Sequence, residues 1–199
     1  MTARGPAMDA VPEMEHRNGA IVWFTGLPAS GKTTLARQVQ AQLGRTARPA
    51  VLLDSDELRD VLGARSYAAE DRDRFYGSLG ALAVLLARQG AVVLVAATAP
   101  RRADRDRARA ALAAAGPDVG PFVEVWVKTP LAVCEARDPK GLYAKARRGE
   151  ASELPGVGVM YEEPQAAEVI AEDGAHDIAL AAIVSRLDAG EFIAGSGQR

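Results

Sequence analysis

The stretch AIVWFTGLPASGKTT, residues 20–34, decides the fold of this 199-residue chain. It opens with a short apolar run of β-branched and aromatic residues, which favours a buried strand over a helix. Residues 26–33 then fit G-x-x-x-x-G-K-[ST], and good helix formers follow at 33–43. A glycine-rich loop between a strand and a helix is the context that a phosphate-binding loop requires. The sequence therefore predicts a Walker A loop.

Each residue type in this loop suits the binding of a nucleoside triphosphate. Glycines let the backbone bend so that successive N–H groups face phosphate oxygens, and the start of the helix adds positive charge. Lys32 is expected to reach the β- and γ-phosphates, and the Thr33 hydroxyl to bind Mg²⁺. We therefore predict a magnesium-bound nucleotide, ATP or GTP. The predicted nucleotide-binding positions in the loop are Gly26, Pro28, Ala29, Ser30, Gly31, Lys32, Thr33 and Thr34.

The pattern around the loop predicts an α/β fold with a mostly parallel sheet between layers of helices. Apolar runs typical of strands alternate with amphipathic or alanine-rich segments typical of helices, an order that favours parallel strands joined by helical crossovers. The expected further strands are residues 50–53, 91–97, 122–127 and 168–171, and the expected further helices are 70–89, 103–115 and 178–187. Another helix is expected to begin at Thr129 and Pro130, which suit an N-cap and a first-turn proline.

The chain is predicted to hold one domain, residues 19–190. Residues 1–18 show no periodicity and no apolar core of a signal peptide, so we expect a flexible leader, and 191–199 are expected to be a flexible tail. Residues 137–164 are first basic and then rich in glycine and proline. That composition predicts a mobile basic lid, whose cations could close over phosphates and exclude water.

Composition excludes several classes of function. Lys and Arg total 24 against 26 Asp and Glu, a balance that argues against a nucleic-acid partner. The longest apolar run, residues 91–99, is far shorter than the roughly 20 residues of a membrane helix. A single cysteine, Cys134, excludes an intramolecular disulfide and favours the reducing cytoplasm. We expect Cys134 to be a small buried residue.

Two acids follow the second expected strand at its carboxyl end, where ligands bind in open α/β sheets. If the segment is extended, Asp54 and Asp56 share a face, so one carboxylate could orient Mg²⁺ while the other accepts a proton from an attacking hydroxyl. The alternative is that these acids begin a helix that includes Leu58. The candidate catalytic residues are Lys32, Asp54 and Asp56, with Thr33 and Asp54 as candidate metal ligands.

Arginines follow the third expected strand. Arg102 and Arg105 could share a helical face near the ligand, and a guanidinium suits phosphate or sulfate, so Arg102 is a candidate substrate-binding residue. The alternative is a solvated helix with Asp–Arg pairs, which we favour for Arg107 and Arg109. His176 stands apart from any carboxylate-rich motif, as does His16, so neither is expected to have a metal or acid–base role.

Several stretches together resemble adenylylsulfate kinases. They are residues 24–34, LDSD at 53–56 with Arg59, PRRADRD at 100–106, and above all CEARDPKGLY at 134–143 with KAR at 145–147. The resemblance runs from about residue 21 to about residue 170. It implies a P-loop kinase fold, commonly dimeric, that transfers phosphoryl from MgATP to the 3′-hydroxyl of adenosine 5′-phosphosulfate. ADP and the activated sulfate donor of sulfate assimilation would be the products.

The resemblance also implies roles for single residues. Asp54 and Asp56 match the family's acidic pair, of which we choose Asp56 as the base. Arg137 matches an ATP-side arginine, and Tyr67 stands in for a phenylalanine that stacks on adenine. The residues that match the substrate side, with Arg102 added from the reasoning above, are Arg59, Tyr67, Arg102, Lys140, Gly141 and Leu142.

The chain departs from the family pattern on the acceptor side. Phe75, Gly77 and Ser78 stand where the family has an asparagine and two arginines, and Ala99 stands where some members have a serine that is phosphorylated. A related phosphotransferase acting on another small-molecule hydroxyl, a different nucleotide or a specialised metabolite, is therefore the alternative. A non-catalytic ATP-binding module is a further one, against which the intact Lys32 and acids argue.

Overall fold

The computed structural model describes residues 18–46, 48, 50–117 and 119–194. The predicted leader lies outside the described residues apart from Asn18, and so do residues 195–199 of the predicted tail. The described strands are β1 (Ala20–Thr25), β2 (Ala50–Asp54), β3 (Val92–Ala96), β4 (Phe122–Lys128) and β5 (Val169–Glu172). The described helices are α1 (Lys32–Arg45), α2 (Ser55–Leu62), α3 (Ala69–Ala87), α4 (Arg102–Ala113), α5 (Leu131–Arg137), α6 (Leu142–Arg147) and α7 (His176–Ala194).

The strands form one parallel sheet in the order β2-β3-β1-β4-β5, with helices on both faces. β1 lies at the centre and is buried along its whole length, which is why its sequence is continuously apolar. Its side chains alternate between two cores. Val22 and Phe24 pack with residues of α1 and α7, whereas Ile21 and Trp23 pack with residues of α3 and α4. The predicted fold class is confirmed.

Two of the described helices differ from the main prediction: α2 was given only as the alternative to an extended segment, and α6 was not predicted. α2 begins directly after β2, and the Asp54 side chain accepts hydrogen bonds from the backbone N–H groups of Asp56 at 2.9 Å and Glu57 at 3.5 Å. The expectation of an extended segment is therefore wrong, and the helix-start alternative is correct. α6 lies inside the predicted lid. At the other end of the chain, α7 continues through Ala194 into residues predicted as tail.

The parallel topology fixes where a site forms. The carboxyl ends of β1, β2 and β3 meet at one edge of the sheet, so the loops that follow them lie side by side. Thr25, at the end of β1, donates a hydrogen bond to the Thr98 carbonyl beyond β3 at 2.8 Å. No helix in the described part of the chain is long and apolar enough to cross a membrane.

Candidate active site

The loop of residues 26–33, called the Walker loop below, joins β1 to α1. At Gly26 φ is +153°, and a Cβ there would lie 2.5 Å from the Val127 carbonyl oxygen, so the position admits only glycine. At Gly31 φ is +102°. The Ser30 N–H donates to the Leu27 carbonyl at 3.1 Å, which closes the turn. The backbone thus takes the tight, concave form that exposes N–H groups to an anion.

The start of α1 lacks a side-chain cap. Its N-cap residue is Gly31, so the first N–H groups of the helix are free for phosphate. The Lys32 ammonium donates to the carbonyl oxygens of Gly26 at 3.0 Å and Leu27 at 2.8 Å. Burial lowers the pKa of Lys32 to about 8, and the carboxylates of Asp56 and Asp54 oppose that shift. A buried cation held by neutral carbonyls is stabilised by a bound anion.

The acid pair, Asp54 and Asp56, lies next to the Walker loop. The Thr33 hydroxyl donates to Asp54 Oδ2 at 2.6 Å, while Asp54 Oδ1 accepts the backbone bonds at the start of α2. Asp54 is buried and fixed in orientation. A hydroxyl and a carboxylate oxygen side by side are the hard donors that Mg²⁺ takes beside substrate phosphates, so these two residues fit the ion.

Asp56 is placed differently from Asp54. Its Oδ2 lies 2.7 Å from the ammonium of Lys140, a lid residue, and the two side chains are 57% and 59% exposed. The hydrogen bond from Lys140 to Asp56 raises the pKa of Lys140. The lid thus reaches across the cavity to the acid pair, and an oxygen of Asp56 remains open to a ligand.

Arg59, on α2, is buried among aromatic rings. Its guanidinium carbon lies 3.8 Å from the centre of the Phe75 ring and 4.5 Å from that of Tyr67, and Nη1 donates to the carbonyls of Ala64 and Ser66. Its Nη2 is buried and has no hydrogen-bond partner among the described residues. A buried cation with an unused donor favours an anionic ligand.

Arg72 is a site residue that the sequence analysis missed. It lies one turn before Tyr76 on α3, and both side chains line the same cavity as Arg59. Arg72 is buried, and its Nε has no hydrogen-bond partner in the part of the chain that the structure describes. The available signal was the four-residue spacing of Arg72 and Tyr76, which places them on one helix face.

The lid is docked on the Walker loop. The Tyr143 hydroxyl donates to the Pro28 carbonyl at 3.0 Å, and burial raises the pKa of Tyr143. Tyr143 packs with Cys134 and Leu154 in a small core against Leu27 of the Walker loop. Cys134 is buried, as predicted. The predicted mobility of the lid therefore requires that this small core opens.

A cavity of about 1080 Å³ joins these groups. That volume lies at the upper end of small-molecule sites, which suits two nucleotide-sized ligands. Four predicted site residues, Gly26, Ser30, Arg102 and Gly141, do not line it. Gly26 and Ser30 shape the Walker loop from behind, and Gly141 precedes α6 with φ of +66°. The predicted residues that do line it are Pro28, Ala29, Gly31, Lys32, Thr33, Thr34, Asp54, Asp56, Arg59, Tyr67, Arg137, Lys140 and Leu142.

The arginines after β3 pair with acids and do not line the cavity. Arg102 contacts Glu162, with Nε 3.6 Å from Oε2, and its backbone N–H donates to the same carboxylate. Arg105 is buried and pairs with Glu124 at 2.7 Å. The expectation that Arg102 and Arg105 face the ligand together is therefore wrong, because α4 turns Arg105 into the interior. Arg107 and Arg109 form ion pairs with acids, as predicted.

The parallel fold, the Walker loop and the adjoining acid pair define this chain as a P-loop kinase. Comparison with known proteins gives the family: the profile described as Adenylylsulphate kinase matches residues 18–172. The chain belongs to that family.

One related sequence and two solved structures support this membership. The adenylyl-sulfate kinase of Shewanella amazonensis is 42% identical over 181 residues, which cover 89% of this chain and 88% of that protein. One solved structure is that of the Mycobacterium tuberculosis APS kinase CysC in complex with AMPPNP and APS. Its sequence is 38% identical to this chain, the TM-score is 0.80, and the match covers 86% of this chain and 99% of that one. The hexameric APS kinase of Thiobacillus denitrificans is 28% identical with a TM-score of 0.62, over 89% of this chain and 30% of that one.

Proposed function

We propose that this chain transfers the γ-phosphoryl group of MgATP to the 3′-hydroxyl of adenosine 5′-phosphosulfate, forming 3′-phosphoadenosine 5′-phosphosulfate and ADP. One observation carries the proposal: a single cavity holds the Walker loop together with the buried arginines Arg59 and Arg72, each with an unused donor. A kinase with two anionic substrates needs both groups in one cavity. The complex of the Mycobacterium relative with AMPPNP and APS supports the same pair of ligands.

The ATP side of the site is assigned to the Walker loop. Its backbone N–H groups and Lys32 would hold the phosphates, and Thr33 with Asp54 would hold Mg²⁺. When bound, Mg²⁺ neutralises charge on the transferred phosphoryl group. Asp54 then keeps the Thr33 hydroxyl in place, because one of its oxygens is fixed by the start of α2.

Proton transfer is assigned to Asp56. Both oxygens of Asp54 are already engaged, by Thr33 and by backbone N–H groups, whereas Asp56 is exposed on the cavity wall. Asp56 would accept the proton of the 3′-hydroxyl as that oxygen attacks phosphorus. Lys140 holds the Asp56 carboxylate at 2.7 Å and would add positive charge near the transferred group as the lid closes.

The substitutions on α3 leave the acceptor arginines in place. Phe75 packs against Arg59, and neither Gly77 nor Ser78 lines the cavity. A Cβ on Gly77 would lie 3.5 Å from the Arg107 guanidinium, which is itself paired with Asp73. None of the three residues of α3 that differ from the family pattern therefore lines the cavity. This favours adenosine 5′-phosphosulfate over an unrelated hydroxyl compound.

The proposal is tested by measuring ADP release with adenosine 5′-phosphosulfate and with a panel of nucleosides and sugars, and by identifying the product by mass spectrometry. We expect turnover with adenosine 5′-phosphosulfate alone. Turnover with a panel member only would show that this compound, and not adenosine 5′-phosphosulfate, is the acceptor. ATP binding without any turnover would show that the chain is a non-catalytic ATP-binding module.

Asp56→Asn tests the base. The change removes the proton acceptor and keeps the shape, so we expect kcat to fall by about a hundredfold to ten-thousandfold with little change in ATP binding. Asp60→Asn, an exposed carboxylate on the same helix outside the cavity, is the matched control and should remain as active as wild type. Full activity of Asp56→Asn would remove Asp56 from this role.

We also propose a homodimer in the cytoplasm. The family resemblance supports the dimer, and the single cysteine supports a reducing compartment. Light scattering on the purified chain measures the assembly directly. A molar mass of one chain or of six chains would each rule out the dimer.

A further inference from the structure

Phe75, on α3, stands where the family pattern has an asparagine, and its ring lies against the guanidinium of Arg59. The distance from the guanidinium carbon to the centre of the Phe75 ring is 3.8 Å, against 4.5 Å for Tyr67 and 5.9 Å for Tyr76. Within about 6 Å a ring face attracts a cation, and the attraction grows when water is excluded. Phe75 is therefore the ring that holds Arg59 most closely.

The Phe75 ring is itself fixed by the core. Its side chain is buried in the cluster that covers one face of the sheet, and it makes an edge contact with the Tyr76 ring at 5.5 Å. Tyr76 is held in turn, because its hydroxyl accepts a hydrogen bond from the Ala99 N–H at 3.1 Å. Phe75 does not line the cavity that holds the Walker loop, so it acts on a ligand there only through Arg59.

The hydrogen bonds of Arg59 hold only one of its nitrogen atoms. Nη1 donates to the carbonyls of Ala64 at 3.1 Å and Ser66 at 3.2 Å, whereas the buried Nη2 has no hydrogen-bond partner among the described residues. Bonds to one nitrogen leave the tilt of the guanidinium plane free. A ring packed against the guanidinium at 3.8 Å restricts that tilt, and with it the direction in which the Nη2 hydrogens point.

We propose that Phe75 is a positioning residue for the acceptor: it holds the Arg59 guanidinium so that Nη2 meets the anionic group of adenosine 5′-phosphosulfate. The assignment rests on the proposed function, since it takes this compound as the acceptor. A donor that is already oriented loses less freedom when the ligand binds, and that saving increases affinity. The departure from the family pattern at this position thus supports acceptor binding without a direct contact.

The test separates the two substrates kinetically in wild type, Phe75→Leu and Phe75→Tyr. Phe75→Leu keeps an apolar side chain and removes the ring face, so we expect KM for adenosine 5′-phosphosulfate to rise about fivefold to tenfold. Its kcat and its KM for MgATP should stay within about twofold of wild type, because the lost interaction serves acceptor binding alone. Phe75→Tyr keeps the ring and should restore the acceptor KM to within about twofold.

A double-mutant cycle shows whether Phe75 acts through Arg59. Arg59→Met removes the guanidinium and keeps a long side chain. In that background Phe75→Leu should change the acceptor KM by less than about twofold, since no guanidinium remains to be oriented. An equal effect of Phe75→Leu in both backgrounds would overturn the inference.

Leu79→Val is the control for damage to the core. Leu79 lies one turn further along α3, is buried in the same cluster and does not line the cavity. The variant should lower the free energy of unfolding in urea and leave both KM values within about twofold of wild type. An unchanged acceptor KM in Phe75→Leu, or an equal rise in Leu79→Val, would overturn the inference. Wild type that does not turn over adenosine 5′-phosphosulfate would overturn the proposed function, and the inference with it.

Discussion

At the scale of single residues, Lys32 shows how a local environment sets a binding property. Its ammonium is buried among carbonyl oxygens, and the desolvation that follows disfavours the charged form. A bound polyphosphate does the opposite, since it stabilises the charged form. The pKa of Lys32 must therefore rise when ATP binds, which links ATP binding to proton uptake.

This linkage predicts a pH dependence of ATP affinity. In the free protein the pKa of Lys32 is about 8, and in the complex it is higher, so affinity is fully present below pH 8 and falls as the pH rises above it. The fall should approach about tenfold per pH unit until the pKa of the complex is reached. Calorimetry with MgATP between neutral and alkaline pH measures it.

Lys32→Arg is the control, because a guanidinium stays charged throughout this range. The variant should show no such fall, whatever its absolute affinity. A wild-type affinity that stays constant across the range would contradict the assigned environment of Lys32.

At the scale of elements, the lid and the Walker loop behave as one packed unit. α6 places Tyr143 against Pro28, and the small core under the lid includes Leu27 of the Walker loop. Gly156, in the C-terminal half of the lid, packs against the Leu27 side chain. A Cβ on Gly156 would lie 2.8 Å from that side chain. Opening the lid must therefore expose apolar surface of the loop that holds the phosphates.

Tyr143→Phe should make the lid open more often. The change removes the hydrogen bond to the Pro28 carbonyl, a loss of about 1 kcal/mol, so the open fraction should rise about fivefold. Limited digestion with trypsin, which cleaves after the exposed Arg147 and Arg148, reports that fraction. Tyr67→Phe should digest like wild type, since the Tyr67 hydroxyl has no hydrogen bond among the described residues. Equal digestion of Tyr143→Phe and wild type would contradict the docked lid.

At the scale of the whole molecule, Arg105 connects segments that are distant in the chain. Its Nε donates to Glu124 on β4 at 2.7 Å, Nη1 donates to the Ala99 carbonyl at 2.7 Å, and Nη2 donates to the Glu162 carbonyl at 2.8 Å. Glu162 in turn accepts the first N–H of α4. The end of the lid is thus fastened to the sheet and to α4 through one buried guanidinium.

Arg105→Ala should destabilise the whole fold. It leaves the buried Glu124 carboxylate without its main partner and two carbonyls without donors, which costs about 3–5 kcal/mol. Urea denaturation, followed by circular dichroism, measures the free energy of unfolding. Arg88→Ala, an exposed arginine after α3, should change it by less than about 0.5 kcal/mol. Equal stability of the two variants would show that the buried network does not hold the fold together.

The sequence by itself determined the parts of this protein that are local in the chain. The strand, Walker loop and first helix are contiguous, and the backbone conformation that binds phosphate depends on glycines within the loop, so their order along the chain was enough. The order of strands and helices likewise predicted the parallel sheet. Resemblance supplied the family, and the comparisons confirm it.

Tertiary structure alone decided the contacts between distant segments. Lys140 meets Asp56 across 84 residues, and His176, on α7, lies against Gly31 at the start of α1, on the same face of the sheet. Arg72 faces the cavity while Arg105 faces the interior, although each is the fourth residue of its helix. The reason is physical: the side of a helix that turns inward depends on what packs against it, and that neighbour comes from elsewhere in the chain.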